Sequence, residues 1–321
     1  MPDNVESMMY AGQVPWHGIG TVVSSEVTAA AALHLAGLDW KVDLLPVLAG
    51  AGLVQSPVER VRATVRRSDL KPLGIVGERY APVQNSDAFS FFDDVVGAGQ
   101  AIYHTAGSLD GGRKIWILAK LPGDIVVVGA DDVIEKYLLL VNSHDGSTTL
   151  RMLVTPIRVV CQNTLMLALR RSTGEGFAIR HTTSATSRIE EARRALGIAH
   201  ARYDDISAEI QQLAQTRYTD HQMVALAATL FPSDPEQPST RTRASRERVV
   251  SLFTEGLGHA AIRGTAWAAL NAVAEFADHV RTVRTADRSL LAEKRLASAW
   301  LGSAAALKRL AHETIRHQIS A

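Results

Sequence analysis

The sequence predicts an α+β protein, with an antiparallel hairpin-rich sheet and packed helices followed by a helical C-terminal region. Three observations carry that prediction. Asp110-Gly111-Gly112 links two apolar runs, the turn chemistry of a β-hairpin. A second pair of runs, Glu135 to Asn142 and Thr148 to Pro156, is joined by Ser143-His144-Asp145-Gly146-Ser147. Beyond Ser184 apolar residues recur at helical spacing over stretches too long for strands.

In chain order, Pro15-Trp16-His17-Gly18-Ile19-Gly20 reads as a loop anchored by Trp16, because Pro and two glycines break a helix. Glu26 to Ala36 is an Ala-rich helix, with Ser24 or Ser25 as N-cap and Gly37 as its stop. Asp39 to Leu44 alternates at period two, as a half-buried strand does. Glu59 to Arg67 is extended, with Arg60, Arg62 and less strictly Arg66 on one side and Val61 and Ala63 on the other. That alternation predicts an arginine-bearing outer face. Leu73 to Tyr80 is a short β element around a glycine turn, and Asn85-Ser86-Asp87 caps a helix from Ala88 to Val96 that stops at Gly97.

Two hairpins follow, the first pairing Ile102 to Ala106 with Arg113 to Lys120. Val159 to Arg170 reads as a helix opening at Cys161-Gln162-Asn163-Thr164, and Phe177 to Thr182 as a closing strand. Helices are expected over Ser187 to Thr216, His221 to Leu230, Ser245 to Gly256, Ala266 to Arg284 and Ser289 to Gln318. The expected domains are an α+β core with its N-terminal loop over residues 1–184 and a helical region over 185–321, with a polar, Pro-rich linker near 232–242.

With 321 residues, 46% of them apolar, the chain can bury a substantial core. Its one cysteine, Cys161, cannot form an internal disulfide, which fits a reducing compartment. No leader-like N-terminus and no long uninterrupted apolar run is present, so a cytoplasmic protein without membrane contact is expected. A net charge of +1 is nearly balanced, so any polyanion contact must come from local basic faces. Arginine outnumbers lysine, which suits bidentate contacts and equally suits a GC-rich genome.

Five segments carry a family resemblance: Pro15 to Gly20; Thr105-Ala106-Gly107-Ser108-Leu109 with Gly112-Arg113-Lys114; Val141 to Ser147; Thr155 to Leu165, including Arg158-Val159-Val160-Cys161-Gln162-Asn163-Thr164-Leu165; and Asn271 to His279. Together they resemble the phage/plasmid-like protein family, a domain of unknown function carried by bacteriophages, plasmids and bacterial chromosomes. The resemblance implies a mobile-element origin and a place in cytoplasmic phage or plasmid biology, without an activity to assign to particular residues. The order of hairpins and helix is also similar to the core of phage single-strand annealing proteins, a likeness of topology alone.

Three candidate sites follow. Arg60, Arg62, Arg66, Arg67, Arg113, Lys114, Arg151 and Arg158 are read as a basic groove, with Tyr103 and Trp116 as stacking surfaces, the two ingredients of single-strand binding. Glu275, Asp278 and His279 stand at i, i+3 and i+4, a spacing a divalent metal site uses; a salt-bridged face toward Arg281 or Arg284 is the plainer reading. Cys161 at a helix start could be an activated thiol, with His104 or His144 as base and Asp145 orienting it, but reads more simply as a small buried residue. No phosphate loop, dinucleotide fingerprint or paired Cys-x-x-Cys occurs, so no cofactor is expected. The leading expectation is a non-catalytic single-stranded nucleic-acid binder acting as a homo-oligomer. The alternatives are a metal-dependent enzyme using the Glu275 cluster and a scaffold for a host factor.

Overall fold

The computed structural model describes residues 8–11, 21–23, 27–51, 54–99, 101–130, 132–158, 163–164, 177–178, 185–234, 239–282, 291, 294–295, 298–299 and 302–320. The Pro15 to Gly20 loop lies outside them. The fold is α+β, in two compact units: residues 1–122, 138–153 and 176–199 form the first, and 123–137, 154–175 and 200–321 the second. The units are therefore not separated by one cut near residue 184. The strand-rich half supplies segments to both.

Unit 1 is built on a seven-stranded sheet. Its strands are β1 (Met8–Ala11), β2 (Thr21–Val23), β6 (Ile102–Leu109), β7 (Lys114–Lys120), β10 (Tyr137–Ser143), β11 (Arg151–Val154) and β14 (Phe177–Ala178), in the order β14-β11-β10-β7-β6-β1-β2. The β6–β7 hairpin closes at Leu109 and Lys114, across Asp110, Gly111 and Gly112 at φ of 53°, 65° and 91°. Three successive left-handed residues suit Asp-Gly-Gly and little else. Helix α1 (Ala29–Leu35) is capped by Thr28, whose Oγ1 accepts the Ala31 amide, rather than by Ser24 or Ser25. Helix α2 (Asn85–Gly99) passes through Gly97. Burial of Phe89, Phe92 and Val95 outweighs the roughly 1 kcal/mol a mid-helix glycine costs.

A separate three-stranded sheet carries β3 (Val42–Ala51), β4 (Val54–Arg66) and β5 (Lys71–Gly77) in that order. Its sidedness differs from the expected arginine-bearing outer face. At the base, Thr64, Val65 and Arg66 are all buried. Further out, Leu45, Ala63 and Ile75 are register partners across the sheet, and it is this apolar row that is open, with Leu45 at 41% and Ile75 at 65% exposure. Alternation assigns residues to two faces; only the neighbouring elements decide which face is covered.

Unit 2 has a four-stranded sheet in the order β13-β12-β9-β8, made of β8 (Ile125–Val127), β9 (Asp132–Glu135), β12 (Ile157–Arg158) and β13 (Asn163–Thr164). Ile157 pairs with Thr164 and Arg158 with Asn163, antiparallel. The helix expected to open at Cys161-Gln162-Asn163-Thr164 is thus corrected to a strand at Asn163 and Thr164. Ile157 to Val160 is β-branched at three of its four residues, which favours extended backbone. Cys161 itself lies outside the described residues.

The helices are α3 (Ala185–Gln215), which runs from unit 1 into unit 2, then α4 (Asp220–Leu230), α5 (Thr240–Glu255), α6 (Ala266–Glu275), a π turn (Phe276–Val280) and α7 (Ser303–Ser320). Thr219 and Gln222 form a capping box at α4. The α5 helix begins at Thr240, inside the expected 232–242 linker, because Ser239 caps it. Tyr203 on α3 accepts the Tyr137 amide at 2.7 Å and donates to the Tyr137 carbonyl at 2.6 Å. The buried Trp267 indole donates to Asp132 at 2.8 Å, tying α6 to β9. Among the described residues, no helix is long and apolar enough to cross a membrane.

In unit 1 the sheets meet at Gly74, where a Cβ would lie 2.6 Å from the Asp145 Cα and 2.9 Å from its Cβ. Backbone cannot yield there as a flexible side chain can. Gly74→Ala is expected to lower unfolding stability by about 1–3 kcal/mol in urea titration, whereas Gly77→Ala, with open space around it, changes it by less than about half that.

Candidate functional site

A polar assembly that includes several of the predicted residues lies in unit 1, where the loop 142–147 meets β4, β5 and α2. His144 is fully buried, and its Nε2 lies 2.8 Å from Asn85 Oδ1. Because the Asn85 amide nitrogen donates to the Leu38 carbonyl at 2.9 Å, its Oδ1 is the acceptor and His144 Nε2 carries the proton. His144 Nδ1 is buried without a hydrogen-bond partner. Burial holds the imidazole down to about 4, against a smaller opposing pull from Asp145, so the ring is neutral near pH 7.

The assembly extends outward through Trp40, whose ring meets the His144 ring edge-on with centroids 5.3 Å apart. Arg66 lies over the Trp40 ring at 5.5 Å and grips Asp69 with two bonds of 2.9 and 2.6 Å. That fork holds the Asp69 carboxyl at about 2, below the ordinary carboxylate range. The loop is fixed by its backbone as well: the His144 amide donates to the Arg113 carbonyl at 2.7 Å, and the Tyr80 hydroxyl donates to the Ser143 carbonyl at 2.9 Å. The Asn142 amide nitrogen donates to the Val83 carbonyl at 3.1 Å.

This geometry redistributes the expected basic groove. Tyr103 and Trp116 are 2% and 1% exposed, so the predicted stacking surfaces are core instead. Strands β6 and β7 are covered on both faces, which an outward aromatic would require them not to be. Arg66 is inside the assembly, and Arg67 is paired with Asp43 at 2.6 Å. Arg62 is the register partner of Val76, whose side chain lies 3.1 Å from where a Gly146 Cβ would stand. Lys114 lies close enough to Asp145 to lower its carboxyl pKa, though other causes act more strongly there. Arg62, Arg113 and Lys114 thus gather at this junction, Arg113 exposed and the other two half-buried. Arg60 is exposed on β4 at a left-handed φ of 60°. Arg151 stands on β11, opposite Ala178, and Arg158 belongs to unit 2.

The acidic candidates belong to unit 2. Asp278 accepts from Lys308 of α7 at 2.7 Å, with the two side chains 2% and 1% exposed. Burial lowers the Lys308 pKa, and Asp278 opposes the shift. The partner of this acidic face is therefore Lys308, thirty residues on, while Arg281 donates to the Ser303 carbonyl and Arg284 lies outside the described residues. Glu275 Oε2 accepts the Leu257 amide at 3.0 Å. Backbone from Phe276 to Val280 is π-helical, so the 3.6-residue spacing that placed Glu275, Asp278 and His279 on one face does not hold there. Among the described residues, no three His, Cys, Asp or Glu side chains are placed to hold a metal ion.

Sequence reasoning missed Trp40, Asp69 and Asn85. Asn85 stands where the sequence predicts a helix cap, and its side-chain oxygen instead meets His144, 59 residues away. The Arg66–Asp69 spacing of three residues was the one local signal available.

Fold and site together define an α+β protein whose central loop is a buried polar junction. The chain matches the family model described as "Domain of unknown function (DUF932)" over residues 72–300, and it belongs to that family. No curated protein and no solved structure matches it.

A histidine whose folded pKa lies below its unfolded value near 6.5 leaves the unfolded chain to bind the proton first. Its contribution to stability is full above about pH 6.5 and is lost as pH falls toward about 4. Between pH 7 and about 4.5, wild-type protein is expected to lose roughly 2–3 kcal/mol more than His144→Gln in urea unfolding. Identical pH dependence of the two proteins would contradict the assignment.

Proposed function

We propose that this is a non-catalytic nucleic-acid-binding protein of phage, plasmid or prophage origin, acting on single-stranded DNA in replication or recombination as a cytoplasmic homo-oligomer. The observation that carries the reading is the grouping of Arg62, Arg113 and Lys114 around the loop 142–147, with Arg60 on the same strand as Arg62. These cations stand beside a loop held by the His144 assembly, so little loop ordering accompanies binding.

Burial of Tyr103 and Trp116 gives the reading a definite character. Without those rings, base stacking contributes little there, and phosphate contacts dominate. Binding is then independent of sequence and steeply dependent on salt.

Fluorescence anisotropy with an oligo-dT strand across a salt series tests this. Each phosphate contact contributes a slope of about −0.7 for a single strand, so Arg60→Gln and Arg113→Gln are each expected to reduce the slope by about that amount. Arg67→Gln, already neutralised by Asp43, leaves it unchanged. Absence of binding at low salt, or binding without a salt slope, would overturn the reading.

A further inference from the structure

Unit 2 contains a cleft of about 490 Å³ bounded by the end of α4, the first half of α5 and the π turn. This lies in the size range of small-molecule sites. Its floor is apolar and aromatic: Phe231 and Phe276 meet edge to face, centroids 5.4 Å apart, beside Val280. Its rim carries Arg241, Arg248 and Arg281, and no carboxylate is among the described residues that line it.

Among the described residues no carboxylate is paired with Arg241, Arg248 or Arg281; Arg248 donates to the Ser251 hydroxyl at 3.4 Å and Arg281 to the Ser303 carbonyl at 3.3 Å, both neutral acceptors. Arg241, Ser245 and Arg248 recur at i, i+4 and i+7 and so share one face of α5. The first turn of α5 has no acidic residue, although the positive end of the helix dipole favours one. The other two arginines of this half have fixed duties. Arg243 faces Glu247, and Arg246 donates to the Phe231 carbonyl at 3.0 and 2.6 Å and to Ser233 at 3.0 Å, holding the rim segment in place. On the opposite wall the π turn adds one residue to the helix, and its closing bond runs from the Arg281 amide to the Phe276 carbonyl at 2.7 Å. Asp278, the acid of that turn, is bound to Lys308.

We infer that this cleft binds a small phosphate-bearing ligand with a planar ring, the phosphate between the three guanidinium groups and the ring against Phe231 and Phe276. Three forked donors match the oxygens of a phosphomonoester, and an anion supplies the negative charge that the start of α5 lacks. An aromatic floor adds affinity for a ring that inorganic phosphate does not have.

The test is isothermal titration calorimetry of the full chain with AMP, adenosine and inorganic phosphate. Saturable one-to-one binding of AMP is expected, with adenosine and phosphate each at least tenfold weaker. Arg248→Gln should weaken AMP binding at least tenfold and the Arg241→Gln/Arg248→Gln protein should abolish it, with thermal unfolding unchanged because both side chains are exposed. An Arg60→Gln/Arg113→Gln protein should bind AMP normally, which separates this site from the strand-binding surface. Displacement of AMP by a 5′-phosphorylated oligonucleotide, but not by its 5′-hydroxyl counterpart, would identify a strand end as the source of the phosphate; its absence would identify a free nucleotide. Failure to bind AMP at millimolar concentration, or equal binding by wild type and the double variant, would overturn the inference.

Discussion

The first unit depends on one constraint: a polar stretch, Asn142, Ser143 and His144, is buried before the chain emerges at Gly146 and Ser147, and nearly all of its polar groups must find partners within the protein. An unpaired buried polar group costs about 1–3 kcal/mol, and this loop carries an imidazole, an amide and several backbone groups. Unit 1 answers from four directions. Asn85 of α2 takes the His144 proton, Arg113 takes its amide, Tyr80 binds the Ser143 carbonyl and Val83 takes the Asn142 amide nitrogen. Gly74 of β5 packs so close to Asp145 that a methyl group does not fit. The three-stranded sheet, the seven-stranded sheet and α2 are thereby fixed to one another, and Arg66 and Trp40 close the outer side. The groups that look catalytic in sequence, His144 beside Asp145, are consumed in this joining.

Unit 2 resolves its buried charge differently. The Lys308–Asp278 pair is almost completely removed from solvent, a situation in which desolvation and attraction nearly cancel and the loss of either partner is severe. The pair pins α7 to the π turn, and the π turn in turn sets where Arg281 leaves the helix. One buried interaction thus shapes the wall of the cleft, while Arg246 shapes the facing rim.

Features encoded locally were legible in the sequence. Asp110-Gly111-Gly112 specified its hairpin because left-handed backbone there excludes most residues, and α3 and α4 followed from helical spacing over long windows. What was not legible depends on distant partners. Period two places Arg62 and Arg66 on one side of β4, but the covering elements that bury Arg66 come from elsewhere in the chain. Tyr103 and Trp116 sit on strands covered on both faces, where alternation carries no sidedness. Asn85 has the composition of a cap and the position of a core ligand to His144. The π turn is invisible to a 3.6-residue template, so the acidic face of Glu275, Asp278 and His279 was drawn on a helix geometry that ends at Glu275.

The loop 142–147 joins the elements of unit 1 into one cooperative structure through His144 and Asn85. Native-state hydrogen exchange on wild type and Asn85→Ala measures this most directly. Amides of β5, the first turns of α2 and the loop itself are expected to lose protection together, by a common increment of about 1–3 kcal/mol. A loss confined to residues flanking position 85, with β5 and the loop unchanged, would contradict it.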